Sequence, residues 1–254
     1  MQAEYIDHMG DDLRVVNAAR VSFNKESQWE GLKAFGELDK NGTLDIDIYN
    51  EYPVLSEADQ KLIRYLAKHN HWTPFSHVQI TMREKVPIFV ARQRFKHMVG
   101  FTYNEMSRRY VSDTPEFYTP SHWRSRPDAS IKQGSGDEII EWLEHNEYTV
   151  WDDPSSPKIT TLIKEEYIAF LEYVEYLYTT MIENDVAPEQ ARMVLPQSMY
   201  TEYYVTGSLA AWGRAYKLRI DSHAQREIQE LAKMWGNVIS NIKELEHSWK
   251  ALTE

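Results

Sequence analysis

PIFVARQRFKHMVGFTYNEMSRRY, residues 87–110, gathers Arg92, Arg94, Lys96, Arg108 and Arg109 into one short stretch of a chain whose formal net charge is −11. Arg83 and Lys85 lie just before it. Cations concentrated against an acidic average mark either an anion site or a solvated surface, and charge runs are usually surface. Pro87, with its φ preset and no N–H to satisfy, suits the first turn of a helix. Ile88, Ala91 and Phe95 then recur at the spacing of one buried helical face. Arg92, Gln93 and Lys96 project from the rest of that helix. Gly100 is the predicted stop, because glycine enters the left-handed region without a Cβ clash. Thr102 to Arg109 reads as an irregular polar segment presenting Asn104, Glu105, Ser107 and Arg109. An arginine fork, a hydroxyl, an amide and a carboxylate can together hold a phosphate and read the edge of a heterocycle.

The 254 residues allow one or two domains with a sizeable core. A content of 42% hydrophobic and 26% charged residues is that of an ordinary globular protein. No apolar run approaches the roughly 20 residues of a membrane span. The first ten residues lack a basic region followed by an apolar one, so a cytoplasmic protein is expected, in host cytoplasm if the source is viral. The absence of cysteine removes disulfides, thiolate metal sites and every cysteine nucleophile. An acidic chain also argues against general nucleic-acid binding, where a basic face supplies the affinity, but leaves room for a small anion.

Outside the central stretch, Val15 to Val21 reads as a helix or strand packed on the core. Ser56 with Asp59 starts a helix whose apolar face is Ala58, Leu62 and Leu66 and which runs to about Asn70. His69, His71 and His77 lie close in sequence but without the spacing of a metal site. Val78, Ile80 and Met82 alternate as a half-buried strand leading into Pro87. Glu116 to Tyr118 reads as extended. The Ser-, Pro- and Gly-rich segment that follows reads as a surface excursion, with a helix predicted at Asp137–His145. Thr160–Asn184 is predicted as one long helix with Ile163, Phe170, Val174, Leu177 and Met181 on one side. Its aromatic content points to core or subunit packing ahead of base stacking. A short helix bounded by prolines spans Ala187–Pro196, a strand Met199–Thr206, and a helix begins at Gly207. Asp221 and Ser222 are the expected caps of a last helix. Its seam is Ala224, Ile228, Leu231, Trp235, Val238, Ile242 and Leu245, as in helices that pair.

Several segments carry a resemblance, in order along the chain: AARVSF at 18–23, HWTPF at 71–75, PIFVARQ and NEMSRRY at 87–110, ARMVLP at 191–196 and LRIDSHAQ at 218–225. Together they resemble the flavin-dependent thymidylate synthases. Where that family carries Arg-His-Arg this chain has Lys96-His97-Met98, with one residue more before Ser107. Ser76 stands where the family often has Glu, and Ser208, Ala210 and Arg214 where it commonly has Asn-x-Arg and a later Asn.

The resemblance implies an α+β fold: an antiparallel sheet with surrounding helices and a long C-terminal helix, one domain over 1–254 with insertions near 24–55 and 120–157. It implies a homotetramer with shared active sites and small-molecule partners only, with no membrane, nucleic-acid or metal partner. The implied reaction is reductive methylation of dUMP to dTMP, with methylenetetrahydrofolate as carbon donor and FAD, reduced by NADPH, delivering hydride. By the same resemblance dUMP falls to Gln93, Arg94, Lys96, Glu105, Met106, Ser107, Arg108, Arg109, Arg192 and Arg219. FAD falls to Ser22, His71, Thr73, Lys96, His97, Met98, Glu105, Ser208 and Arg214. Arg219 is the catalytic assignment, since a fixed cation beside a ring that gains negative charge stabilises the charged form more than the neutral one. Arg109, Arg192 and Arg219 are expected to converge on one nucleotide. The alternatives are a non-catalytic nucleotide or single-strand binder and a folate-dependent pyrimidine hydroxymethyl transferase.

Overall fold

The structure, a computed structural model, describes residues 1–35, 50–130, 134–146 and 158–254. Four antiparallel strands form the main sheet in the order β1 (Gln2–Met9), β4 (Gln79–Pro87), β8 (Tyr200–Ser208), β5 (Phe101–Glu105). Two hairpins stand apart, β2 (Gly31–Phe35) with β3 (Asn50–Val54), and β6 (Trp142–Asn146) with β7 (Lys158–Leu162). The helices are α1 (Asp12–Arg20), α2 (Glu57–Lys68), α3 (Ile88–Arg94), α4 (Ile163–Glu183), α5 (Pro188–Ala191), α6 (Leu209–Ile220), α7 (Arg226–Ser240) and α8 (Glu246–Thr253). Among the described residues no helix is long and apolar enough to cross a membrane.

The sheet hides one face. Ile80, Met82, Glu84 and Val86 of β4 alternate inward beside Tyr203 and Val205 of β8, the period-two pattern of a half-buried strand. Trp212 of α6 and Trp235 of α7 cover them edge to face, with ring centroids 5.6 Å apart. The opposite face carries polar cross-strand pairs: the Thr81 and Thr206 hydroxyls at 3.0 Å, and an Arg83–Glu202 ion pair.

Several elements depart from the sequence reading. Pro87 closes β4 instead of opening α3, whose buried residues are Val90, Ala91 and Arg94 while Ile88 and Phe95 are half-covered. Thr102 to Glu105, read as irregular, is strand β5, because β8 offers it a free edge. The helix predicted at Asp137–His145 is absent, and β6 pairs with β7 there; long-range pairing overrides a weak local preference. Thr160–Leu162 belongs to β7, and α4 buries Leu171, Val174 and Tyr178, leaving Phe170, Tyr173 and Tyr176 exposed. On α2 the buried residues are Asp59, Ile63 and Leu66, and Ala58 faces solvent. Ser56 caps that helix as its spacing indicates, accepting from the Asp59 amide at 3.1 Å.

The long last helix is two helices. Ile242 is extended, and Asp12 accepts from the His247 and Ser248 amides, both at 2.9 Å, capping a new start. Asp221 binds His223 instead of capping α7, whose cap is Gln225. The seam residues Ile228, Leu231, Trp235 and Leu245 are buried within the chain.

Gly100 (φ +81°) joins α3 to β5, and a Cβ there would stand 2.9 Å from the Ala211 Cβ. Gly100→Ala is therefore expected to cost about 1–3 kcal/mol from strain and crowding. Urea unfolding of both proteins measures this; equal stability would show that the turn tolerates a side chain.

Candidate active site

The antiparallel pairing of β4 and β8 sends two helices off from its ends. Pro87 pairs with Tyr200 at one end, where α3 departs; Gln79 pairs with Ser208 at the other, where α6 departs. The turn after α3 comes back over α6. Gly100 O accepts from the Ser208 amide at 3.0 Å, and Val99 O accepts from the Arg214 guanidinium. A cavity of about 500 Å³ opens here, lined by Trp72, Gln79, Gly100, Thr206, Ser208 and Arg214 among others. A second, of about 560 Å³, shares Trp72, Ala210 and Arg214 and extends to Lys217 and Leu252.

Of the residues assigned to FAD, Ser208 and Arg214 line the first of these cavities, and His71 and Thr73 flank Trp72, which lines both and is 61% exposed. Lys96, His97 and Met98 form the turn that leads to Val99. Ser208 is buried and its hydroxyl accepts from the Ala211 amide at 3.2 Å, so it caps α6 as well. Ser22 is exposed on the turn after α1. Glu105 lies at the other end of β5 from Phe101, about 13 Å away at the rise of a strand. Its carboxylate accepts from Thr201 at 2.6 Å.

Arg219, near the end of α6, is held along one edge. Its Nε donates to His97 Nε2 at 2.8 Å and a terminal nitrogen donates to the Gln93 carbonyl at 3.2 Å. The Gln93 amide donates to the Gln225 side chain, which in turn donates to Glu227 at 2.8 Å. Burial first, then the Arg219, Arg94 and Arg214 cations, push the His97 imidazole down to about 4. A neutral ring is what the contact needs, because only an unprotonated Nε2 can accept from arginine.

The three arginines expected to converge make two different sets of contacts within the chain. Arg109 pairs with Glu189 at 3.9 Å, and Arg192 donates to the Glu189 carbonyl at 3.3 Å; both arginines are exposed. Met106 and Ser107 lie in the same segment as Arg109, the Met106 amide donating to the Glu202 carbonyl at 2.9 Å. Arg219 stands with His97 and Gln93 instead. Two other assignments are corrected. Arg94 is a core residue, its side chain and that of Glu84 both 0% exposed, so it cannot reach a nucleotide. Arg108 is also buried and is spent on the side chain and carbonyl of Asp113. Lys96 is exposed. Trp72 and Gln225 were given no role by the sequence reading, because nothing local shows that one lines both cavities and the other meets Gln93.

Residues 4–242 match the family described as "Thymidylate synthase complementing protein". The flavin-dependent thymidylate synthase of Thermosipho africanus is 36% identical over 233 residues, 92% of this chain and 83% of that one. The chain belongs to the flavin-dependent thymidylate synthase family. A relative of the same name from Thermus thermophilus is 32% identical and covers 98% of this chain and 74% of its own. A UMP/dUMP methylase from Streptomyces cacaoi bound with 5-Br UMP shares the fold, at a TM-score of 0.69 and 24% identity over 99% of this chain and 93% of that one.

The neutral His97 of this family member predicts an acid effect. An ordinary histidine titrates near 6.5, so between pH 6.5 and 4 the unfolded chain binds a proton that the folded chain refuses. Stability from this group is complete above 6.5 and is lost as pH falls towards 4, by about 3 kcal/mol in all. Asp12, raised to about 6 by burial, titrates in the same window with opposite sign. A comparison of wild type with His97→Gln removes that contribution. Urea unfolding from pH 7 to 4 should show the wild type losing the larger amount; parallel curves would deny His97 the shift.

Proposed function

We propose that the chain methylates dUMP to dTMP, taking the carbon from methylenetetrahydrofolate, with NADPH as the source of reducing equivalents and FAD as cofactor. The observation that carries this reading is the one-edge grip on Arg219. His97 and the Gln93 carbonyl occupy Nε and one N–H of a terminal nitrogen, leaving the outer fork to face a ligand. A uracil ring that gains negative charge at its N3 edge would be stabilised by that fork, and the rigid hold means little reorganisation during reaction.

The residues present fit FAD. An exposed indole, Trp72, offers a flat heterocycle a stacking surface, while the Arg214 cation and the amide of Gln79 are polar partners in the same cavity. When bound, FAD supplies the hydride. Ser208, Arg214, Thr73 and the 96–98 turn would hold it; Arg109, Arg192 and Ser107 would hold the phosphate of dUMP, with Lys96 nearby as a point charge lacking the planar fork of arginine.

That Arg109 and Arg192 meet Glu189 while Arg219 meets His97 and Gln93 supports a shared site in a homotetramer, in which one copy completes the pocket of another. The exposed Phe170, Tyr173 and Tyr176 of α4 supply apolar surface for such contacts.

Arg219→Ala should remain yellow with FAD but lose dUMP-dependent oxidation of reduced flavin by about a hundredfold or more. Stopped-flow absorbance reads both quantities, and undiminished turnover would remove Arg219 from the chemistry. Wild-type protein that fails to take up FAD would return the reading to a non-catalytic nucleotide binder.

A further inference from the structure

A charged network lies buried directly behind Arg219. Glu84 points inward from β4, and Arg94 Nε meets both of its carboxylate oxygens at 3.3 Å. Tyr203 donates to the same carboxylate at 2.5 Å. Four rings surround the guanidinium: its central carbon lies 4.4 Å from the Phe101 centroid, 4.6 Å from Trp235, 4.8 Å from Trp212 and 5.2 Å from Tyr103. Arg94 also donates to the Tyr103 hydroxyl at 2.6 Å, and that hydroxyl donates to the His97 backbone carbonyl at 2.7 Å. From His97 the next contact is Arg219.

Such a pair is a poor way to gain stability. Desolvating two charges offsets most of their attraction, and apolar replacements of similar volume are often neutral or better. One terminal nitrogen of Arg94 is buried with no hydrogen-bond partner, a further cost. The hydrophobic surroundings could have been completed with hydrocarbon. What hydrocarbon could not do is fix a hydroxyl beneath the His97 carbonyl. The phenol accepts from Arg94 and has two backbone carbonyls within reach, that of His97 at 2.7 Å and that of Arg94 at 3.3 Å; the shorter contact ties it to the backbone from which the imidazole projects.

The geometry points to Arg94 and Tyr103 as positioning residues: anchored by Glu84, they fix the His97 backbone so that its imidazole holds Arg219 with the outer fork turned to the pyrimidine. None of the three touches substrate. The assignment rests on the proposed dUMP chemistry for its catalytic half, while its structural half, the orientation of His97, stands on the contacts alone.

The test uses full-length Tyr103→Phe, which deletes one hydroxyl, and Arg94→Lys, which keeps charge but loses the fork. In steady-state assays with FAD, NADPH and methylenetetrahydrofolate, both variants should lose kcat by about tenfold or more. FAD content and dUMP affinity, measured by absorbance and calorimetry, should stay within about twofold of wild type, because a positioning loss acts on the transition state more than on binding. Nitrogen-15 spectra of the histidine rings, with His97 assigned by its absence in His97→Gln, provide a readout independent of turnover. Wild type should show a single Nδ1–H tautomer for His97, and Tyr103→Phe a tautomer mixture. An unchanged ring spectrum in Tyr103→Phe, or wild-type kcat, would overturn the assignment, as would a kcat loss that only follows lost FAD or a lowered melting temperature. A wild type without dUMP-dependent turnover would overturn the functional reading and the catalytic half with it; the ring spectra would still decide the structural half.

Discussion

The register between β4 and β8 is the constraint from which the rest follows. Nine residues pair from Gln79 with Ser208 to Pro87 with Tyr200, and the strands end together. Because α3 leaves one end and α6 the other, the turn after α3 can only rejoin the sheet through β5 by passing over the start of α6. That route brings Val99 to Arg214 and His97 to Arg219. A slip of one residue would turn Glu84 to the solvent face and Arg83 into the core, since side chains alternate with a period of two. Arg94 would then be buried without its partner, which is far more costly than burying both.

The site is accordingly a product of packing. Trp212 and Trp235 close the space beneath the sheet and leave the Arg94 guanidinium a cage of ring faces. Within that cage a cation is tolerable because ring faces and a carboxylate both attract it. Burial first, and then Arg219, this same cation and Arg214, make a proton on His97 unwelcome, so the packing that hides the pair also keeps the imidazole neutral.

Charge clustering was visible in the sequence, but its meaning divided in the fold. Residues 87–110 contain arginines of three kinds: Arg92 and Arg109 exposed, Arg94 in the core, Arg108 tied to Asp113. Spacing placed Arg92 on the open side of the helix and Arg109 in a polar segment, and the resemblance gave Arg94, Arg108 and Arg109 to the nucleotide. Arg94 has an inward carboxylate, Glu84, within reach on the strand that leads into its helix, ten residues before it in the chain. The excursion after Pro120 failed for a similar reason. A helix at Asp137–His145 was a reasonable local preference, yet β7 lies beyond it in sequence and supplies backbone partners that a local reading cannot weigh.

By itself the sequence determined the alternating strands at Val78–Met82 and Met199–Thr206, the Ser56 cap, the family and the cast of chemical residues, because each is written in local spacing or in a contiguous motif. Tertiary structure alone decided which cations became core, where the last helix broke, and that Arg219 is held by His97 and Gln93 while Arg109 and Arg192 meet Glu189. Those outcomes depend on the desolvation and pairing of groups far apart in the chain, and such energies exist only after the backbone has brought the groups together.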